Sequence, residues 1–162
     1  METCLWCKGE FPLIKGPTHK YMESIPGCWH TFGQVIAKEY ENYSVLSTIH
    51  GLTVDAYAVQ HPGQPSKQST QSVYAHLLRM YYIFEKGFNG QLARGKLIQF
   101  VESEPHLTWF DPPDVATGLT IADVFKTESS EEHKKCVKDW AKSLWEVWME
   151  KYKSDIYRFV SS

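Results

Sequence analysis

The sequence predicts an all-α fold: a single-domain bundle of four to five helices with an irregular N-terminal flap stapled by zinc. Three observations predict it. Apolar residues recur at helical spacing through most of the chain after Cys28. Pro and Gly crowd residues 1–27, where no period is sustained. Cysteines cluster in that same segment. The chain has 162 residues and 43% of them are hydrophobic, enough for one domain with a real core. Residues 1–27 are therefore read as the flap and 28–162 as the helical bundle of a single domain.

In chain order, the first helix is expected from Cys28 to about Asn42, with Trp29, Phe32, Ile36 and Tyr40 as its apolar stripe. A second covers 44–60 and stops at Pro62-Gly63, with Gly51 as a weak point. A third, 69–86, is apolar almost all round and so is expected at the centre of the fold. A fourth covers 91–102. Residues 103–118 form the longest loop, with Trp109 and Phe110 packing back on the core. A short helix follows at 120–125. The last opens at Ser129, three residues before Glu132, a capping-box spacing, and runs at least to Lys153. Its face of Trp140, Leu144, Trp145 and Trp148 reads as core-facing.

Charge and composition weigh against several function classes. A formal charge of −2 is far from the basic balance of a dedicated nucleic-acid binder. No apolar run is long enough to span a bilayer. The start, METCLWCKGEF, lacks the pattern of a signal peptide, so a cytoplasmic, reducing location is expected. In that setting clustered cysteines point to metal or redox chemistry rather than to a disulfide framework.

Cys4 and Cys7 form a C-x-x-C pair, a spacing that lets a tight knuckle aim two thiolates at one ion. Cys28 supplies a third sulfur. His19, in the intervening loop, is the preferred fourth ligand. His30 and Cys136 stay open as alternatives, although His30 would point about 200° around an ideal helix from Cys28. Four protein ligands make a closed, structural zinc site.

A second candidate site lies in VDAYAVQHPGQP, residues 54–65. On one continuous helix His50, Tyr57 and His61 fall within about 40° of each other. Pairing with the next helix would bring His76 near His61. Such histidines can bind a divalent metal with open positions, Asp55 can act as ligand or base, and Tyr57 and Gln60 can orient a substrate. The blander alternative makes His61 a helix cap and His76 a hydrogen-bonded core histidine.

G-P-T-H at 16–19, P-G-C-W at 26–29, L-T-V-D-A-Y-A-V-Q-H-P-G at 52–63, Q-S-V-Y-A-H-L at 71–77 and W-A-K-S-L-W at 140–145 resemble a family of small bacterial proteins, catalogued only as a domain of unknown function. The family's opening resembles C-P-G-C-G, where this chain has Cys4-Leu5-Trp6-Cys7-Lys8. The resemblance implies that His19, Cys28, Asp55, Gln60, His61 and His76 belong to the family pattern, and it brings no activity with it. A looser likeness, at the level of fold, is to DinB-like bundles that hold a metal with three histidines. Three functions follow: a zinc protein acting by binding a small molecule or protein; a metal-dependent hydrolase or transferase using His50, Asp55, His61 and His76; and, last, a regulatory or nucleic-acid zinc module.

Overall fold

The computed structural model describes residues 1–161. Two short strands, β1 (Glu2–Thr3) and β2 (Glu10–Phe11), pair antiparallel, with Glu2 opposite Phe11 and Thr3 opposite Glu10. Seven helices follow among the described residues: α1 (Pro26–Tyr40), α2 (Tyr43–Thr48), α3 (His50–Gln60), α4 (Lys67–Phe84), α5 (Gly90–Glu102), α6 (Ile121–Phe125) and α7 (Ser130–Val160). The fold is all-α apart from that small ribbon.

The helix ends follow local chemistry. Pro26 opens α1, where its missing N–H costs nothing. Asn42, Ser66, Asn89, Thr120 and Ser129 cap the helices after them, each side-chain oxygen accepting from a backbone N–H of the first turn. The capping box lies at Thr120 and Asp123. At α7 Ser129 caps as expected, but the Glu132 carboxylate accepts from the N–H of Glu128 rather than closing a box on Ser129.

Four expectations need correcting. The helix expected over 44–60 is two helices, because Ile49 leaves helical geometry at φ −127°. The weak point at Gly51 has a different cause from helix propensity. A Cβ there would come within 2.3 Å of Arg79 Nη2, so glycine makes room for a buried guanidinium. The stripe of α1 is rotated: Cys28, Thr31, Phe32, Val35 and Glu39 are buried while Tyr40 is exposed. The central helix is α3, not α4: every residue from Leu52 to Gln60 except Val54 is buried. α3 packs on both α4 and α7, while α4 leaves Gln68, Gln71 and Ser72 at the surface or near it.

The last helix supplies the centre of the core. Trp140 and Trp148 are fully buried, and both indole N–H groups serve the end of α3. Trp148 Nε1 donates to the Val59 carbonyl at 3.1 Å, and Trp140 Nε1 donates to Gln60 Oε1 at 2.9 Å. A helix end leaves carbonyls without intrahelical partners, and a buried indole needs an acceptor, so each satisfies the other. Past α3, His61 leaves helical geometry, Pro62 cannot continue the ladder, and Gly63 adopts φ +75°. A Cβ at Gly63 would meet the Tyr21 carbonyl at 2.2 Å, so this turn is where the flap seats on the bundle. Phe110 from the long loop is buried and stacks on Tyr74 and Tyr152, as the sequence predicts. Tyr152 itself breaks the regularity of α7.

The candidate metal centre

The flap is ordered by a knuckle. After β1 the chain turns so that the Lys8 N–H donates to the Cys4 carbonyl and the Cys4 N–H to the Gly9 carbonyl. Lys8 takes φ +63°, a left-handed position that glycine favours. The Gly9 N–H then points at Cys7 Sγ, 3.4 Å away. Cys4 and Cys7 are thereby aimed to one side, at the first turn of α1, where Cys28 sits. Gly27 allows the approach, since a Cβ there would lie 2.3 Å from the Pro12 carbonyl.

The fourth group is His61, the C-cap of α3. Its Nε2 lies 3.4 Å from Cys28 Sγ, and the donor atoms of Cys4, Cys7, Cys28 and His61 all fall within 4.8 Å of one another. All four residues are buried. His61 Nδ1 is 2.9 Å from the Tyr57 carbonyl, which can only accept. The ring proton is therefore on Nδ1, and Nε2 presents its lone pair to the sulfurs. A backbone carbonyl orienting the distal nitrogen is the usual support of a metal-bound histidine. The Tyr57 hydroxyl lies 3.3 Å from Cys28 Sγ. Burial, and then the neighbouring Cys28 sulfur, push that phenol up, so it keeps its proton and donates to the sulfur.

Three thiols this close cannot all ionise alone. Hydrogen bonds from Cys28 and then Cys7 hold Cys4 far below the usual thiol range. Bonding to Cys28 favours the Cys7 thiolate, but Cys4 and burial outweigh it and the Cys7 thiol is pushed up to about 12. Bonding to Cys4 and Cys7 raises Cys28 as well. A divalent cation resolves this conflict, because it takes every sulfur as thiolate and cuts the charge of the three thiolates from −3 to −1. The donor set fits the ion.

His19 is not the fourth ligand. Its Nδ1 accepts from the N–H groups of Tyr21 and Met22 at 3.2 and 3.1 Å, and its ring lies edge-on to Tyr21 and Trp29. It shapes the loop that meets Gly63, and burial lowers its pKa. His30 is exposed, and Cys136 sits half-buried on α7, outside the cluster.

The residues of the second expected site do not converge. His61 and Tyr57 belong to the sulfur cluster. The Gln60 side-chain amide donates to the Val115 and Leu119 carbonyls, both at 3.0 Å, pinning the long loop to the core. Asp55 pairs with both His76 and Arg79. His50 pairs with Glu39, which the sequence reading missed altogether. Among the described residues, only the Cys4–Cys7–Cys28–His61 set has metal-ligating geometry.

Glu39 is fully buried at the end of α1. It accepts from His50 Nδ1 at 2.8 Å, Thr53 Oγ1 at 2.6 Å and His133 Nε2 at 2.7 Å, joining α1, α3 and α7. Flanked by Lys38, Glu41 and Asn42 it reads as surface charge, yet it follows Phe32 by seven residues and Val35 by four, on the buried stripe. Burial alone would raise its pKa, but the bonds from His133, His50 and Thr53 outweigh burial and hold it below the ordinary 4.5. A carboxylate with a depressed folded-state pKa stabilises the fold above its unfolded pKa and loses that contribution as pH falls through the folded value. Melting temperature is therefore expected to fall as pH drops below about 4.5, more steeply in the wild type than in Glu39→Gln. Parallel curves for the two proteins between pH 3 and 6 would remove Glu39 from this role.

Among the described residues no helix is long and apolar enough to cross a membrane. No curated protein and no solved structure matches the chain. A family model described as "Family of unknown function (DUF5946)" does match, over residues 2–149, and the chain belongs to that family.

Proposed function

We propose that this is a small zinc-binding protein in which the ion is a closed structural clip, and that the chain works through what its helical surface binds rather than through chemistry at the metal. The observation that carries this is the buried Cys4–Cys7–Cys28–His61 set, with its four donors within 4.8 Å. Three thiolates and one imidazole are the ligands of tetrahedral structural zinc, whose Zn–S distance of about 2.3 Å sets donor–donor edges of roughly 3.7 Å. Zinc is favoured over harder cations because thiolate is a soft ligand, and over iron–sulfur clusters because donors within 4.8 Å of one another surround a single ion. The four ligands leave no open position for a substrate. Cys4 and Cys7 come from the flap, Cys28 from α1 and His61 from the end of α3, so the ion joins the N-terminal segment to the two helices beneath it.

X-ray absorption at the zinc edge tests the coordination directly. Three sulfurs and one nitrogen, with no oxygen, are expected for the purified protein. An oxygen in the first shell would mean an open, reactive site and would contradict the clip.

A further inference from the structure

The metal clip leaves unexplained the Gln71-to-Leu77 stretch and the buried Asp55 behind it. A cleft of about 830 Å³ runs along α4. Ser72 and His76 line it, with Tyr21 of the flap, Gln71, Phe100 and Leu107. Behind this wall Asp55 is completely buried. Arg79 Nε donates to its two carboxylate oxygens at 3.0 and 3.1 Å, and His76 Nδ1 lies 2.7 Å from Oδ1. A carboxylate has no proton to offer, so Nδ1 carries the hydrogen, and Nε2 is the ring nitrogen left free of Asp55. The His76 side chain is 20% exposed, and among the described residues Nε2 has no hydrogen-bond partner. Ser72 Oγ likewise has none. Residues four apart share a helix face, and the later side chain leans back over the earlier turn. Ser72 and His76 thus share one face of α4, and both line the cleft. An ion pair with Arg79 alone would satisfy Asp55, and the bond to His76 adds a histidine of fixed tautomer facing open space.

We propose that Ser72, His76 and Asp55 form a nucleophile, base and orienting group that hydrolyse a carboxylic ester with a small apolar acyl group bound in this cleft. Ser72 Oγ adds to the ester carbonyl carbon and its proton passes to His76 Nε2. The bond to the alcohol oxygen breaks, His76 returns the proton to that oxygen, and an acyl-serine remains. Water then adds to the acyl carbon, giving a proton to Nε2; the acid leaves and Ser72 Oγ takes the proton back. Ser72 and His76 are the catalytic residues. Asp55 is a positioning residue that acts through the tautomer of His76, and Arg79 holds Asp55. Phe100 and Leu107 suit an apolar acyl chain, and the Gln71 carboxamide offers N–H donors for the developing oxyanion.

The test is labelling of the zinc-loaded protein with a short-chain alkyl fluorophosphonate, read by intact mass and peptide mapping. One adduct per chain on Ser72 is expected, with none in Ser72→Ala. In His76→Asn the labelling rate is expected to fall on the order of 100-fold. Hydrolysis of p-nitrophenyl butyrate is expected to disappear in Ser72→Ala, with the melting temperature unchanged. In Asp55→Asn, a long-range ¹H–¹⁵N spectrum is expected to show the His76 ring as a tautomer mixture in place of the Nδ1–H form. No adduct on the folded wild type, an adduct elsewhere, or an undiminished rate in His76→Asn would overturn the proposal. This chemistry is separate from the zinc clip: labelling can fail with the zinc in place, and zinc can be missing with labelling intact.

Discussion

Stripping the metal with a chelator, or replacing Cys28 by Ser, is expected to lower the melting temperature by about 10 °C or more. Structural zinc in small metal sites contributes on the order of 10 kcal/mol to folding. Here the loss is smaller, because the flap can release while the helices stay packed, and roughly 3–5 kcal/mol is expected at about 2–4 °C per kcal/mol for a chain of this size. The flap has only a little core of its own. Phe11 and Met22 are buried, while Leu5 and Leu13 face solvent. Without the ion the four donor groups become three crowded buried thiols and an imidazole. Amide exchange is expected to quicken first in residues 2–12 and in the turn at 61–63, where the Tyr21 loop sits on Gly63. Scanning calorimetry of the loaded and chelated protein reads the effect, and equal midpoints would mean that the flap is held by packing alone.

Gln60→Leu is expected to be nearly as damaging, although it adds apolar volume to an apolar surrounding. Gln60 is fully buried and uses its whole amide: two N–H bonds to the Val115 and Leu119 carbonyls and one acceptor for Trp140 Nε1. The substitution strands two carbonyls and one indole N–H in the core. A buried polar group left without a partner costs about 1–3 kcal/mol, so the three together are expected to cost roughly 3–5 kcal/mol after relaxation. The long loop is fastened to α3 by these bonds, so it should become labile to proteases near Val115 while zinc content stays at the wild-type level. A loss under 1 kcal/mol in urea unfolding would show that water replaces the lost partners.

The helical class, the flap, the capping serine of α7 and three of the four clustered donor residues were legible in the sequence, because each rests on a local signal: a period, a Pro-Gly cluster, a C-x-x-C spacing. What was not legible depended on how helices meet. His61 is 33 residues from Cys28 and reaches its sulfur only because Pro62 and Gly63 end α3 beneath the flap. His19, nearer in sequence, is drawn off by two backbone N–H groups of its own loop. His50, Tyr57 and His61 do fall along one continuous helix, α3 with its cap, but they serve different partners: His50, at the first position, bonds Glu39, while His61, at the cap, meets the Cys28 sulfur. Glu39 was hidden by its charged neighbours, although its place seven residues after Phe32 put it on the buried side. The all-round apolar character of 69–86 likewise overstated its burial, since one side of α4 lines the cleft.

The measurement that tests the account most directly is zinc content by elemental analysis of untagged protein purified without chelator, with His61→Ala and His19→Ala beside the wild type. One zinc per chain is expected in the wild type and in His19→Ala, with zinc lost or loosely held in His61→Ala. No zinc in the wild type, or zinc kept in His61→Ala and lost in His19→Ala, would contradict the site built here from Cys4, Cys7, Cys28 and His61.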